Sequence, residues 1–300
     1  MKPKDIASYL FLALTWGLSF LVLVRVAHAF GWVGAVSFRC FVAGATLVGA
    51  SLVLRRRLDF GFGLVPLLVV GATTVAGQLI GLTFATPKIG TAMAAILVAT
   101  IPLFAMLIAS LAGVERITPR GLVGVVLGFF GIVLLVGFPA VPITPDFVLG
   151  AICTLLASLS AAVGSVYASR RLKQAGAWEV TAGAFLVGGL ISLPLVAVVP
   201  PPALPGPLDY LFLLILGGLM SATTYVVYFR MLASIGPTKA VSVEFAVTIV
   251  AVLVGALILH EPLSLAQIAG AVVIVLGCAL VLGLIPFGPP RRLAPTKARP

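Results

Sequence analysis

Ten uninterrupted apolar runs, nearly end to end, constrain this chain more than any other feature. They are 6–26, 33–54, 64–85, 89–112, 121–137, 147–169, 180–199, 208–232, 237–259 and 264–286. A bilayer core about 30 Å thick needs roughly 20 apolar residues per helical crossing, and most of these runs have that length. They are continuously apolar rather than alternating at every second residue, which predicts helices and not a membrane barrel. Punctuation falls between them. Pro139, Pro142 and Pro145 follow the fifth run, a proline cluster from Pro200 to Pro207 follows the seventh, and Gly236-Pro237 and Glu261-Pro262 bracket the ninth.

Composition excludes the other classes. Hydrophobic residues are 61% of the chain, charged residues 9%, and mean hydropathy is +1.25. Too few charges remain to coat a water-facing surface or to keep a chain disordered. The net charge of +11 does not point to nucleic acid, because the basic residues sit between apolar runs and form no stripe interleaved with aromatics. Lys2 and Lys4 precede the first run, and Ala27-His28-Ala29 mimics a cleavage site. Ile6 to Val26 is nevertheless too long for a signal-peptide core of about 7–15 residues and reads as a retained helix.

The basic residues set the expected orientation. With a cytoplasmic N-terminus and alternating crossings, sixteen of the 19 Lys and Arg fall inside. Arg25 and Lys88 fall at outer ends, and Arg39 falls within the membrane. This asymmetry is the positive-inside pattern and predicts ten helices with both termini cytoplasmic.

The chain also repeats itself. At an offset of 146, Ile89-Gly90 meets Ile235-Gly236, Glu115 meets Glu261, and Gly124, Gly131 and Gly137 meet Gly270, Gly277 and Gly283. At 145, Val42 and Gly44 meet Val187 and Gly189. Five helices per unit is an odd number, so the units 1–141 and 142–286 are expected to cross in opposite directions, with a disordered basic cytoplasmic tail at 287–300. Inverted repeats are an architecture of alternating-access transporters, which bind substrate near the midplane.

Several short motifs carry a family resemblance. Trp16-Gly17, Arg39-Cys40-Phe41, Val114-Glu115-Arg116-Ile117-Thr118 and His260-Glu261-Pro262-Leu263-Ser264 resemble those of the drug/metabolite transporter superfamily. Within it the chain is similar to the EamA-type ten-helix exporters, nearest to the YddG-type exporters of aromatic amino acids and related metabolites. The resemblance covers the chain to about residue 286. It implies a basket-like ten-helix bundle in a bacterial inner membrane and leaves the cargo open.

Polar side chains are costly in lipid and are expected to face a wet interior. In the first run Thr15 and Ser19 flank Trp16; in the third, Thr74 and Gln78 share a face. The sixth offers Ser158, Ser165 and Tyr167; the eighth offers Ser221, Tyr225 and Tyr228 at i, i+4 and i+7. The fourth has Thr100 and a kink at Pro102, and the ninth has Glu244. Paired by the repeat, these six helices are expected to line a path. The blander reading stands beside it: packed aromatics, an interhelical hydrogen bond for Gln78, and serines bonded to their own backbone. The fifth and tenth are expected to be scaffold. There Gly124, Gly128 and Gly131 suit close packing or dimerisation.

Two charges lie inside runs. Arg39 and Glu244 are each about 10 Å deep, from opposite faces. Arg39 is expected to snorkel outward or to bond loop carbonyls. Glu244 is expected either to exchange protons or to pair with Lys239 or Arg230 at an inner gate. Glu115 and Glu261 are expected to cap or pair at the N-terminus of the helix that follows each.

No cofactor or metal is expected. Cys40, Cys153 and Cys278 lie in apolar runs without metal-ligand spacing and read as small buried hydrophobes, and His28 and His260 sit at outer loops. No phosphate-binding glycine loop, carboxylate pair or charge ring supports ATP drive, a membrane enzyme or a channel. The sequence therefore predicts a secondary transporter. Its partners are the lipid bilayer and a small amphipathic cargo, such as apolar or aromatic amino acids, drugs or other metabolites.

Overall fold

The computed structural model describes residues 3–113, 119–137, 142–202, 204–281 and 285, with backbone alone at 135–137, 238, 239, 278 and 281. Glu115, its flanking motif and the tail 287–300 lie outside the described residues. Among those described the chain is all-helical. Six helices are long and apolar enough to cross a membrane, and three shorter apolar helices accompany them.

The first and second runs form one continuous element, α1 (Pro3–Val53). The sequence suggests a loop there, carrying His28. The structure instead keeps His28 helical and turns the chain at Gly31, whose φ of 71° lies in the left-handed region. Glycine adopts that conformation without the Cβ penalty, so one residue replaces a loop. Next come α2 (Leu64–Ile89), α3 (Thr91–Leu111) and α4 (Pro119–Gly137). The second part of the chain follows with α5 (Pro145–Arg171), α6 (Ala177–Val198) and α7 (Pro207–Ile235). Last are α8 (Pro237–Val241), α9 (Val243–Leu257) and α10 (Leu265–Val281).

Several helices depart from a plain α form. α2 winds as a π-helix over Gly71–Gly77, and α7 does so over Ile215–Thr223. α3 breaks at Ala99 and Thr100, just before Pro102, whose ring and missing N–H disfavour an unbroken helix. A break at Ser242 separates α8 from α9, and Tyr9 donates a hydrogen bond to its carbonyl at 2.6 Å. Gly90 before α3 and Gly236 before α8 both have φ of 83°.

Glycines let the core helices touch. A Cβ on Gly71 would lie 2.9 Å from the Ala184 carbonyl and 2.7 Å from Val187. One on Gly217 would lie 2.9 Å from the Arg39 carbonyl and 2.7 Å from Val42. So α2 presses on α6 as α7 presses on the second part of α1. The stripe on α4 meets α10. A Cβ on Gly131 would lie 2.9 Å from the Gly270 carbonyl, and one on Gly277 would lie 2.6 Å from the Gly124 carbonyl. The stripe is used for packing within the chain.

The rims are tied by charge. Both cations expected outside are paired, Arg25 with Asp209 at 3.3 Å and Lys88 with Asp146 at 2.6 Å. At the opposite rim Arg56 meets Glu179 at 3.3 Å and lies over Trp178. Ser264 and Gln267 bond each other's backbone N–H at 2.9 and 3.1 Å, a capping box that starts α10.

Candidate functional site

A cavity of about 60 Å³ lies between α1, α2, α3, α5, α7 and α9. Its polar wall is made by Trp16 and Ser19 of α1, Thr74 and Gln78 of α2, and Ser165 of α5. Tyr225 and Tyr228 of α7, Glu244 of α9 and Arg39 of α1 complete it. Among the described residues neither α4 nor α10 contributes a side chain.

The aromatic part is a cluster around Trp16. Its ring lies 5.4 Å from both Tyr225 and Tyr228, tilted by 57° and 52°. Tyr225 also meets Phe185 edge-on at 4.9 Å. Such tilted pairs match the ring quadrupoles and hold the cluster rigid. The Trp16 indole N–H donates to Thr224 Oγ1 at 2.8 Å, which fixes the ring's orientation. The Tyr228 hydroxyl bonds Ser165 Oγ at 2.8 Å, joining α7 to α5. Trp16 therefore faces the interior and not lipid.

The serines follow the backbone-bonding alternative in part. Ser158 bonds the Thr154 and Leu97 carbonyls, Ser165 bonds Ala161, Ser19 bonds Trp16, and Ser221 bonds Leu216. Thr100 bonds the Leu97 carbonyl at the break in α3. Thr100, Ser158 and Ser221 are buried but do not line the cavity. Thr74 Oγ1 is buried on the wall with no hydrogen-bond partner.

Arg39 corrects the expectation that it snorkels outward. It is 5% exposed, lines the cavity, and donates from Nε to Ser221 Oγ at 2.6 Å. The Gly31 turn and the close approach of Gly217 bring α7 beside it, so a polar partner inside the bundle replaces the aqueous rim. Glu244 is 7% exposed and lines the same cavity. The structure does not bring it together with Arg230, which is exposed; the Lys239 side chain lies outside the described residues. Glu261 differs from expectation too. It caps no following helix but reaches across the chain, accepting from the N–H groups of Thr91 and Ala92 at 2.7 and 2.8 Å at the start of α3. A carboxylate suits that positive helix end.

The apolar wall went unnamed in the sequence reading. Phe20 and Leu23 fall four and seven residues after Trp16, Leu82 four after Gln78, and Ala161 four before Ser165. Helical spacing from the polar residues was the available signal, masked by neighbours of the same apolar type.

Outward-facing side chains such as Leu10, Phe129, Leu156 and Leu219 are apolar and exposed, while Arg39, Thr74, Ser165 and Glu244 within the helices turn inward. A soluble protein distributes them the other way, so the bundle is a multi-pass membrane protein with a polar centre.

The chain belongs to the EamA-like transporter family, whose model matches two successive stretches, 5–137 and 148–283. It is 28% identical over 98% of its length to protein PecM of Dickeya dadantii, covering 97% of that protein. It is 23% identical to an uncharacterized transporter of Archaeoglobus fulgidus, over 91% of this chain and 98% of that one. With the uncharacterized inner membrane transporter YedA of Escherichia coli K12 it shares 28% identity, over 90% and 88% of the two chains. A solved crystal structure with 20% identity superimposes with a TM-score of 0.69, covering 95% of this chain and 98% of the other, a likeness of fold. The protein is a membrane transporter.

Proposed function

We propose that the chain is a secondary transporter that exports small amphipathic metabolites, aromatic and other apolar amino acids first, in the manner of the YddG-type exporters. It works by alternating access in a bacterial inner membrane, with ten helices in two inverted units, 1–141 and 142–286, and both termini cytoplasmic. The observation that carries this reading is the cavity itself. It joins an aromatic cluster to polar groups at the meeting of the two units, where such transporters hold cargo.

Three correspondences support the inverted repeat. The Gly71 contacts with Ala184 and Val187 reappear, 145 or 146 residues away and with the units exchanged, as those of Gly217 with Arg39 and Val42. The two π-helical stretches and the two left-handed glycines, Gly90 and Gly236, fall at matching offsets. The similarity to the inner membrane transporter YedA supports the inner membrane.

A cavity of 60 Å³ has room for about four waters at roughly 15 Å³ each. An amino acid needs more, so its passage requires the walls to part. The breaks at Ala99-Thr100 and Ser242 and the two π-helical stretches are the places where helices can bend. In this reading Trp16, Tyr225 and Tyr228 take the cargo's apolar side chain. Thr74 and Gln78 meet its polar end, and Ser19 and Ser165 position the aromatic wall. Thr100, Ser158 and Ser221 hold the backbone behind it.

The test is reconstitution into liposomes with labelled amino acids, amines and drugs, with and without an imposed pH gradient. Saturable movement of phenylalanine or tryptophan is expected. Transport of drugs alone would overturn the amino-acid reading. Reporter fusions after Arg57 and Lys173 are expected to be cytoplasmic and those near Pro142 and Pro202 periplasmic; the reverse would overturn the topology.

A further inference from the structure

Arg39 and Glu244 are a basic and an acidic side chain on the wall of one small cavity, both more than nine-tenths buried. The three ion pairs among the described residues are Arg25–Asp209, Arg56–Glu179 and Lys88–Asp146, and neither Arg39 nor Glu244 takes part in any of them. Arg39 uses Nε to bond Ser221, which anchors the guanidinium and leaves the donors on its two amino groups for another acceptor. Isolated charges are expensive at membrane depth and mark binding or transfer sites by default. A ligand that supplies both missing counter-charges removes that cost at two places together.

The spacing suits such a ligand. Arg39 stands eight residues past the Gly31 turn, about 12 Å along its helix. Glu244 stands seven residues past Pro237, about 10 Å from the opposite side. In a core about 30 Å thick this leaves roughly 8 Å between the two backbone levels. The Arg39 and Glu244 side chains reach into that interval from its two ends, and once the walls part the carboxylate and ammonium of an α-amino acid each take one charge-assisted hydrogen bond there. The aromatic cluster lies on the same wall.

We infer that the cavity recognises a zwitterion, with Arg39 taking the cargo's carboxylate, Glu244 its ammonium, and Trp16 with the two tyrosines its aromatic ring. This rests on the amino-acid reading above and adds, beside the neutral contacts of Thr74 and Gln78, a charge rule for the head group. Amines without a carboxylate and acids without an ammonium each leave one buried charge unmatched.

The experiment measures inhibition of labelled phenylalanine transport in proteoliposomes by phenylalanine, phenethylamine and 3-phenylpropanoate. Each analogue is expected to inhibit at least about tenfold more weakly than phenylalanine. Arg39→Gln should abolish the preference over phenethylamine and keep the preference over 3-phenylpropanoate; Glu244→Gln should do the reverse. Variants are compared per folded molecule by size-exclusion in detergent. If they do not fold, the analogue ranking with the native protein decides. Equal inhibition by all three compounds, or variants that keep both preferences, would overturn the zwitterion assignment while leaving amino-acid export standing. No amino-acid transport by the native protein would remove the underlying reading and this assignment with it.

Discussion

The helices around the cavity and the α4–α10 pair are built from nearly the same apolar alphabet and do opposite things. α4 carries Gly124, Gly128 and Gly131 on one face and lets α10 approach until backbone meets backbone at Gly270 and Gly277. Its outward face, with Val126, Phe129 and Val133, is exposed to the surroundings of the bundle. The cavity helices also meet at glycines, Gly217 against the Arg39 carbonyl and Gly81 against the Cys153 carbonyl, but they turn polar and aromatic side chains toward a shared space as well. Small residues make a contact; polar residues make a space. That difference, and not overall hydropathy, separates scaffold from path in this chain.

Accessibility is the all-or-none way to break the comparison. In a cysteine-free protein, single cysteines at Thr74, Gln78, Ser165 and Tyr225 are expected to react with a water-soluble thiol reagent, and cysteines at Val126 and Val133 to stay unlabelled. Equal labelling of both sets would show that polar faces do not mark a wet path. Next in size is Gly277→Leu. Its Cβ would lie 2.6 Å from the Gly124 carbonyl, which is backbone and cannot rotate away. Overpacking of this kind costs about 1–3 kcal/mol, so folded yield and melting temperature in detergent should fall. Transport per folded molecule should not change. Trp16→Ala acts on the cavity instead, weakening cargo affinity by roughly 2 kcal/mol, about 30-fold, through lost ring contacts, with transport compared per folded molecule because the ring also packs on Tyr225 and Tyr228 and bonds Thr224. Trp16→Phe keeps a ring and loses only that bond, a smaller effect of about fivefold.

Much of this was legible in the sequence because hydrophobic run length and charge placement act one segment at a time. From the third run to the eighth the runs match the observed helices to within a few residues, whereas the first two form one element and the ninth is split at Ser242; the expected lining residues Trp16, Ser19, Thr74, Gln78, Ser165, Tyr225 and Tyr228 lie on one cavity. What stayed hidden depends on which helix stands beside which. The depth of Arg39 could be counted, but its direction is set by Ser221, 182 residues away in sequence, and by the Gly217 crossing that brings α7 close. Glu261 reached α3 rather than its own neighbour for the same reason. The π-helical stretches have no periodic signature. The gap between the first two runs announces a break at 27–32, but nothing in it shows that Gly31 alone makes the turn.

The central claim is that one cavity between the two units carries the cargo, and blocking it tests this most directly. A single cysteine at Gln78, in the otherwise cysteine-free protein, is reconstituted into liposomes and treated with a membrane-impermeant thiol reagent, with and without excess phenylalanine. The account predicts that modification stops labelled phenylalanine transport and that phenylalanine slows the modification. Full modification with transport unchanged would contradict it.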